Sequence, residues 1–320
     1  MTGEPVAFFQ RPFPSANAVL LRGARPVLVD GGFGADVPAL LTWLAAQGVA
    51  PEQLSLVVNT HFDCDHAGAN YVLASQFGRP IATGAAEAAL VNARDIGACR
   101  AHYLHQPVEP YRVDWAMLPG DVVDTGGVRW VVLATPGHTE GHISLHAPEH
   151  GLLVTGDAVH SDDLGWVDAT DPAALDAAEA SLAALQALQL VRAYSGHGPA
   201  TLDPAAAIDV AARRLAAWRR DPERMAWHGA KRVFAYALMV EGGLAEAEVR
   251  PYLLASPWFP AYAAIPFRVA PGELVAPLLA EMLRSGAARW EGGRLVAGSP
   301  FIPPPPGWAR APTEPVLWPM

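Results

Sequence analysis

Cysteine and lysine are both scarce in this 320-residue sequence, which has two cysteines, Cys64 and Cys99, and one lysine, Lys231. Two cysteines without regular spacing exclude a disulfide-stapled secreted scaffold, and also a closed structural zinc site built on a thiolate cluster. No uninterrupted apolar run approaches the ~20 residues needed to cross a bilayer, and residues 1–5 lack the basic start and apolar core of a signal peptide. A reducing cytoplasm without membrane attachment is therefore expected. The shortage of lysine, set against abundant alanine, reads as compositional bias and carries no functional information. Internal repeats and low-complexity linkers are also missing.

The length allows one large domain and a smaller one. The formal net charge is −10, and it is unevenly spread. Residues 1–205 carry 9 Arg or Lys against 22 Asp or Glu, whereas residues 206–320 carry 13 against 10. Arg213, Arg214, Arg219, Arg220, Arg224, Lys231 and Arg232 supply much of the basic excess, on more than one face of a helical stretch. Such a run is usually a solvated helix. Contact with nucleic acid is the sharper alternative, set second because an acidic chain repels phosphates at long range.

The most informative segment holds His61, Asp63, Asp65 and His66, four metal-ligating side chains within six residues, directly after the apolar run 54–59. That run reads as a short buried strand ending in a loop. In extended chain His61 and Asp63 point to one side, and the turn into a helical stretch over 67–77 swings Asp65 and His66 elsewhere, so that one segment can feed two adjacent ions. Imidazole and carboxylate suit zinc, iron and manganese, and an open, catalytic site is favoured over a closed one. A polar surface loop with chance His and Asp content is the bland alternative, and the downstream sequence counts against it. Three further apolar runs, at 128–134, 152–155 and 191–194, end at His138, Asp157 and His197 respectively, each close to a glycine that lets backbone approach a shared centre. His142 and Ser144, just after His138, are candidates for orienting ligands, with turn packing as the alternative. Cys64 points away from its liganding neighbours and reads as packing.

With these residues in place the chain resembles the metallo-β-lactamase superfamily over about residues 15–200, including a first hairpin with Asn17 to Leu21 and then Leu28, Val29, Asp30, Gly31 and Gly32. The resemblance implies an α/β (α+β) fold, an αβ/βα sandwich with two divalent metal ions at one edge. It implies a first ion held by His61, Asp63 and His138, a second by Asp65, His66 and His197, and Asp157 as a bridge. One departure stands out: the family's commonest motif has His where this chain has Asp63. A carboxylate is a harder donor and makes iron or manganese more competitive with zinc, which remains the first expectation. Two ions about 3.5 to 4 Å apart lower the pKa of a shared water and polarise a carbonyl or phosphoryl oxygen. Asp65 is the candidate to receive or steer a proton.

The expected domains are a catalytic unit at 1–205 and a helical, winged-helix-like unit at 206–320, where helical stretches at 226–240, 244–255 and 273–285 precede a hairpin turning at Gly292 and Gly293. Pro303 to Pro306 are expected to run extended over the surface. Trp258, Trp290, Trp308 and Trp318 suit either a core or a homodimer face. For substrate recognition the candidates are residues 92–118, with Arg94, Arg100, His102, Tyr103, His105, Tyr111, Arg112 and Trp115, and the segment 160–166, with His160 and Trp166. The expected activity is hydrolysis of a small ester, thioester or lactone. Phosphodiester or RNA cleavage is the alternative within the superfamily. A diiron redox protein, suggested by the carboxylate Asp63, and a non-catalytic sensor are the alternatives from other functional classes.

Overall fold

A computed structural model describes residues 4–302 and 312–319; the proline stretch 303–306 and Trp308 lie outside the described residues. Two sheets stack face to face. The first has six strands in sequence order: β1 (Val6–Phe9), β2 (Ala18–Leu21), β3 (Val27–Val29), β4 (Leu56–Val58), β5 (Ile81–Gly84) and β6 (Trp115–Met117). β1 to β3 pair antiparallel and β3 to β6 parallel. The second sheet takes β7 (Val122–Asp124), β8 (Arg129–Ala134), β9 (Ile143–Ala147), β10 (Leu152–Gly156) and β11 (Arg192–Ser195), in the order β11-β10-β9-β8-β7.

Strand alternation explains the layers. Val19 and Leu21 of β2, Val27 and Val29 of β3 and Val58 of β4 face the second sheet, where they meet Val123, Trp130, Val132, Leu145 and Val154. Their neighbours Ala18, Leu20, Leu28 and Val57 point the other way, into helices. Those helices are α1 (Val37–Ala46), α2 (Cys64–Ala67), α3 (Asn70–Phe77), α4 (Ala85–Ala93) and the short α5 (Ala101–Leu104). Over the outer face of the second sheet lie α6 (Ala174–Gln186) and α7 (Pro204–Arg220), whose Leu182, Leu185, Ile208, Ala211 and Leu215 join Leu153 and Ala193. The expected αβ/βα layering is the one observed. α7 begins at the boundary expected near 205 but shares the core of the second sheet with α6.

Next come α8 (Pro222–Val240), the two-residue β12 (Leu244–Ala245), α9 (Glu246–Ala255), α10 (Trp258–Ala264), α11 (Pro271–Arg284), β13 (Ala288–Glu291) and β14 (Arg294–Ala297). The last three strands form an antiparallel sheet in the order β12-β14-β13. α10 falls between two of the expected helices, and its Trp258, Phe259 and Tyr262 are fully buried in a core shared with Phe234, Leu253 and Leu278. Trp258 is thus core, as is Trp318, while Trp290 is exposed. Among the described residues no helix is long and apolar enough to cross a membrane.

Candidate metal centre

β4, β8, β10 and β11 each end at the same edge of the sandwich, and each delivers part of one cluster. After β4 the chain passes His61 and Asp63 and enters α2, so Asp65 and His66 lie in the first turn of a helix that starts earlier than the sequence suggests. α2 stops at Gly68, where a Cβ would come within 2.5 Å of the Phe33 carbonyl carbon, and α3 begins afresh. The loops after β8, β10 and β11 bring in His138, Asp157 and His197. Gly196 is essential to the approach: a Cβ there would fall on the Asp157 carboxylate and 2.6 Å from His66 Cε1.

Two groups of side chains could hold an ion: His61, His138 and Asp157, and beside them Asp65, His66 and His197. In the second, His197 Nε2 lies 3.2 Å from Asp65 Oδ2 and 3.7 Å from Asp157 Oδ2, while His66 Nε2 lies 3.4 Å from Asp157 Oδ1 and 3.9 Å from Asp65 Oδ2. Ligands about 2.1 Å from a tetrahedral zinc stand roughly 3.4 Å apart, so Asp65, His66 and His197 could hold one divalent ion with Asp157 within reach, and three protein ligands leave a position for water. His66 Nε2 is buried without a hydrogen-bond partner, the condition expected of a nitrogen whose lone pair is meant for a metal. Asp157 reaches both groups, standing 3.8 Å from His138 Nε2. Burial alone would raise its carboxyl, but the imidazoles of His197, His160 and His66 hold it well below the usual carboxylate range.

Outer partners fix the imidazoles. Asp30 accepts from His66 Nδ1 at 2.9 Å, and from the Thr60 amide and hydroxyl at 2.9 and 2.8 Å. His138 Nδ1 donates to the Trp166 carbonyl at 2.6 Å. In both rings the proton on Nδ1 leaves Nε2 bare. His142 Nε2 accepts from the Asp157 amide at 3.1 Å, and its Nδ1 lies 2.8 Å from Thr135 Oγ1, which also meets Ser144 Oγ at 2.8 Å. Burial, then His138, lowers His142 to about 3, so it stays a neutral acceptor. Asp30 was visible in the sequence only as part of a hairpin; its role needs the fold.

Asp63 stands beside the first group, with Oδ2 3.3 Å from His138 Nε2 and 3.7 Å from His61 Nε2, but it is also engaged by a cation. Both of its oxygens face Arg100, with Nε donating to Oδ1 at 2.8 Å and Nη2 to Oδ2. Burial would raise the Asp63 carboxyl, yet the Arg100 guanidinium holds it well below the usual range. Of the recognition candidates in 92–118, Arg100 reaches the cluster, whereas the others are used elsewhere. Arg94 donates to the Trp318 carbonyl, Tyr111 packs on Trp318, His105 packs on Tyr252, and Trp115 is part of β6. His160 Nε2 stands 3.2 Å from Asp157 Oδ1. Cys64 is buried, its thiol directed at the Cys99 and Gln106 carbonyls rather than at the cluster.

A cavity of about 200 Å³ opens over Asp65, His138, Asp157 and His197. Its walls are apolar, formed by Phe13, Leu104, Trp166, Val233 and Met239, with Tyr236 and Arg232 as polar members. α8 supplies four of these seven, none of which the sequence singled out for the pocket except Arg232, noted there for charge alone. Four of the seven residues in the basic run are paired: Arg219 with Asp176 and Glu179, Arg214 and Arg232 with Asp163, and Lys231 with Glu281.

Residues 11–229 match the sequence profile of the metallo-beta-lactamase superfamily, and the chain belongs to that superfamily. The match passes the boundary expected at 205 and ends within α8. It is 30% identical over 175 residues to an acyl-coenzyme A thioesterase, MBLAC2, of Gallus gallus, covering 47% of this chain and 59% of that one. It is likewise 30% identical over 173 residues to a hydroxyacylglutathione hydrolase of Ectopseudomonas mendocina, covering 54% and 56%. The chain thus spans little more than half the length of these relatives. Among solved structures, a metallo-beta-lactamase family protein of Thermus thermophilus superposes with a TM-score of 0.55 over 93% of this chain and 100% of the other, at 21% identity. A Cronobacter sakazakii metallo-beta-lactamase gives 0.56 over 70% and 97%, at 18%. These two show the shared fold. Beside this family membership, the described residues include two groups of His and Asp side chains able to hold metal.

Proposed function

We propose that the protein hydrolyses thioesters of small acyl groups, using water activated by a divalent ion, zinc first, in the group formed by Asp65, His66, His197 and Asp157. The observation that carries this is the bare, buried His66 Nε2 facing two carboxylates on the floor of an apolar-walled cavity. Relatives that cleave acyl groups from coenzyme A and from glutathione point to the thioester over the oxygen ester or lactone. An ion bound there would lower the pKa of a water and polarise the acyl carbonyl. The chain's own residues do the rest. Phe13, Val233 and Met239 enclose the acyl portion and exclude bulk water. Asp65 accepts the proton lost by the attacking water and returns it to the sulfur as the carbon–sulfur bond breaks, giving carboxylic acid and thiol.

The expected first ion would use His61 and His138 with Asp157 as the bridge, and Asp63, expected with them, could serve it only by giving up Arg100. The division of the chain falls between α7, which belongs with the sandwich, and α8, which opens a smaller winged-helix-like unit. Phosphodiester cleavage is the second reading, and four of the seven basic residues that suggested it are paired with neighbouring carboxylates. No observation favours a redox role or a sensor.

Protein loaded with zinc is expected to release thiol from acyl-coenzyme A and hydroxyacyl-glutathione substrates, with loss on chelation and recovery on adding zinc back. Lack of turnover on every thioester, with cleavage of oxygen esters, lactones or RNA instead, would overturn the reading.

A further inference from the structure

We infer that the Arg100 guanidinium takes the place of a first metal ion, so that the centre holds one divalent ion, at Asp65, His66 and His197 with Asp157, instead of two. His138 has one lone pair to offer, because its Nδ1 proton is committed to the Trp166 carbonyl at 2.6 Å, and Arg100 Nη2 lies 3.0 Å from Nε2 on that side. An ion bonded to the same nitrogen would stand about 2.0–2.1 Å from it, in space that the guanidinium fills. Asp63, another of the three side chains expected to hold a first ion, has both oxygens in a bidentate pair with the same guanidinium, which leaves His61 as the one member of that set that Arg100 does not engage.

Arg100 is built into this position. Nη1 donates to the His138 carbonyl at 3.0 Å, and the guanidinium carbon stacks 4.7 Å from the Trp166 ring. Its backbone and that of Cys99 are left-handed, with φ of 48° and 58°. Non-glycine residues adopt this region at a cost, and hold it when their surroundings over-determine it. Four polar contacts and a stacked ring on one side chain are such surroundings.

The inference rests on the metal-hydrolase reading, and zinc counting separates the two. After incubation with excess zinc and removal of the free metal, elemental analysis should find about one zinc per chain. Arg100→Met, which opens the first position, should raise the count towards two. His197→Ala should lower it to near zero, whereas a two-ion centre would keep about one. Two zinc per wild-type chain, or one retained by His197→Ala, overturns the inference. Should Arg100→Met fail to fold, the wild-type and His197→Ala counts still decide. One zinc without thioester turnover would sink the functional reading alone, and turnover with two zinc would sink the Arg100 inference alone.

Discussion

Replacing Asp30 by Asn tests how far the metal centre depends on a residue that never touches the ion. The backbone tolerates it, since Asp30 has φ of 57° and asparagine is among the residues that accept the left-handed region. The chemistry does not. Oδ2 accepts from both His66 Nδ1 and the Thr60 hydroxyl, and Oδ1 from the Thr60 amide. An asparagine oxygen can stay with the Thr60 amide only if its NH₂ faces His66. Two donors then oppose each other, and the ring relieves this by moving its proton from Nδ1 to Nε2, the atom that must bind the ion. Losses of outer partners of this type lower metal affinity 10- to 100-fold, equal to about 1.4–2.7 kcal/mol. Competition against a chromophoric chelator measures it directly. Zinc affinity within twofold of wild type, in a variant that melts cooperatively, would refute the tautomer argument.

Burial raises Glu87 from the ordinary 4.5 to about 8, so the folded chain binds this proton more tightly than the unfolded one. The resulting stabilisation is full below about pH 4.5 and lost as pH rises to about 8. Relative to Glu87→Gln, the metal-free wild type should lose up to about 5 kcal/mol across that window, and equal differences in urea unfolding at pH 5 and 8.5 would contradict this. Gly196→Ala should abolish zinc binding, because the new methyl collides with Asp157 and His66; zinc retained at wild-type affinity would show that the β11 loop can shift. Tyr262→Phe removes the 2.9 Å bond from Trp166 Nε1 and leaves a buried donor unpaired, at about 1–3 kcal/mol; an unchanged urea midpoint would argue against it.

The layers of the sandwich were legible only through the resemblance to the superfamily, because the strands at 18–21, 27–29 and 56–58 read AVLL, VLV and LVV, apolar on both faces, and carry no alternation that would assign a side chain to one layer or the other. The seven candidate ligands were legible because each follows an apolar run that stops at the same edge. What the sequence concealed was pairing. The distance from Asp63 to Arg100 is 37 residues in the chain and one hydrogen bond in space, and no local pattern distinguishes a carboxylate held by a guanidinium from one waiting for a metal. Asp30 was hidden for the same reason. The pocket wall from α8 was hidden differently: Val233, Tyr236 and Met239 look like any buried helical face until the helix is seen leaning over a cavity. The extra helix at 258–264 is short and follows a proline, so its period was too brief to read.

His61, Asp65 and His66 come from the first sheet's side of the sandwich, and His138, Asp157 and His197 from the second. Neither half owns a complete ligand set. During synthesis the chain must extend beyond residue 197, and the two sheets must already have met, before a tight site for metal exists. The ion therefore acts as a late inspector of assembly: its capture reports that the halves have docked in register, and a chain whose halves have slipped by even one strand position has nothing to bind it with.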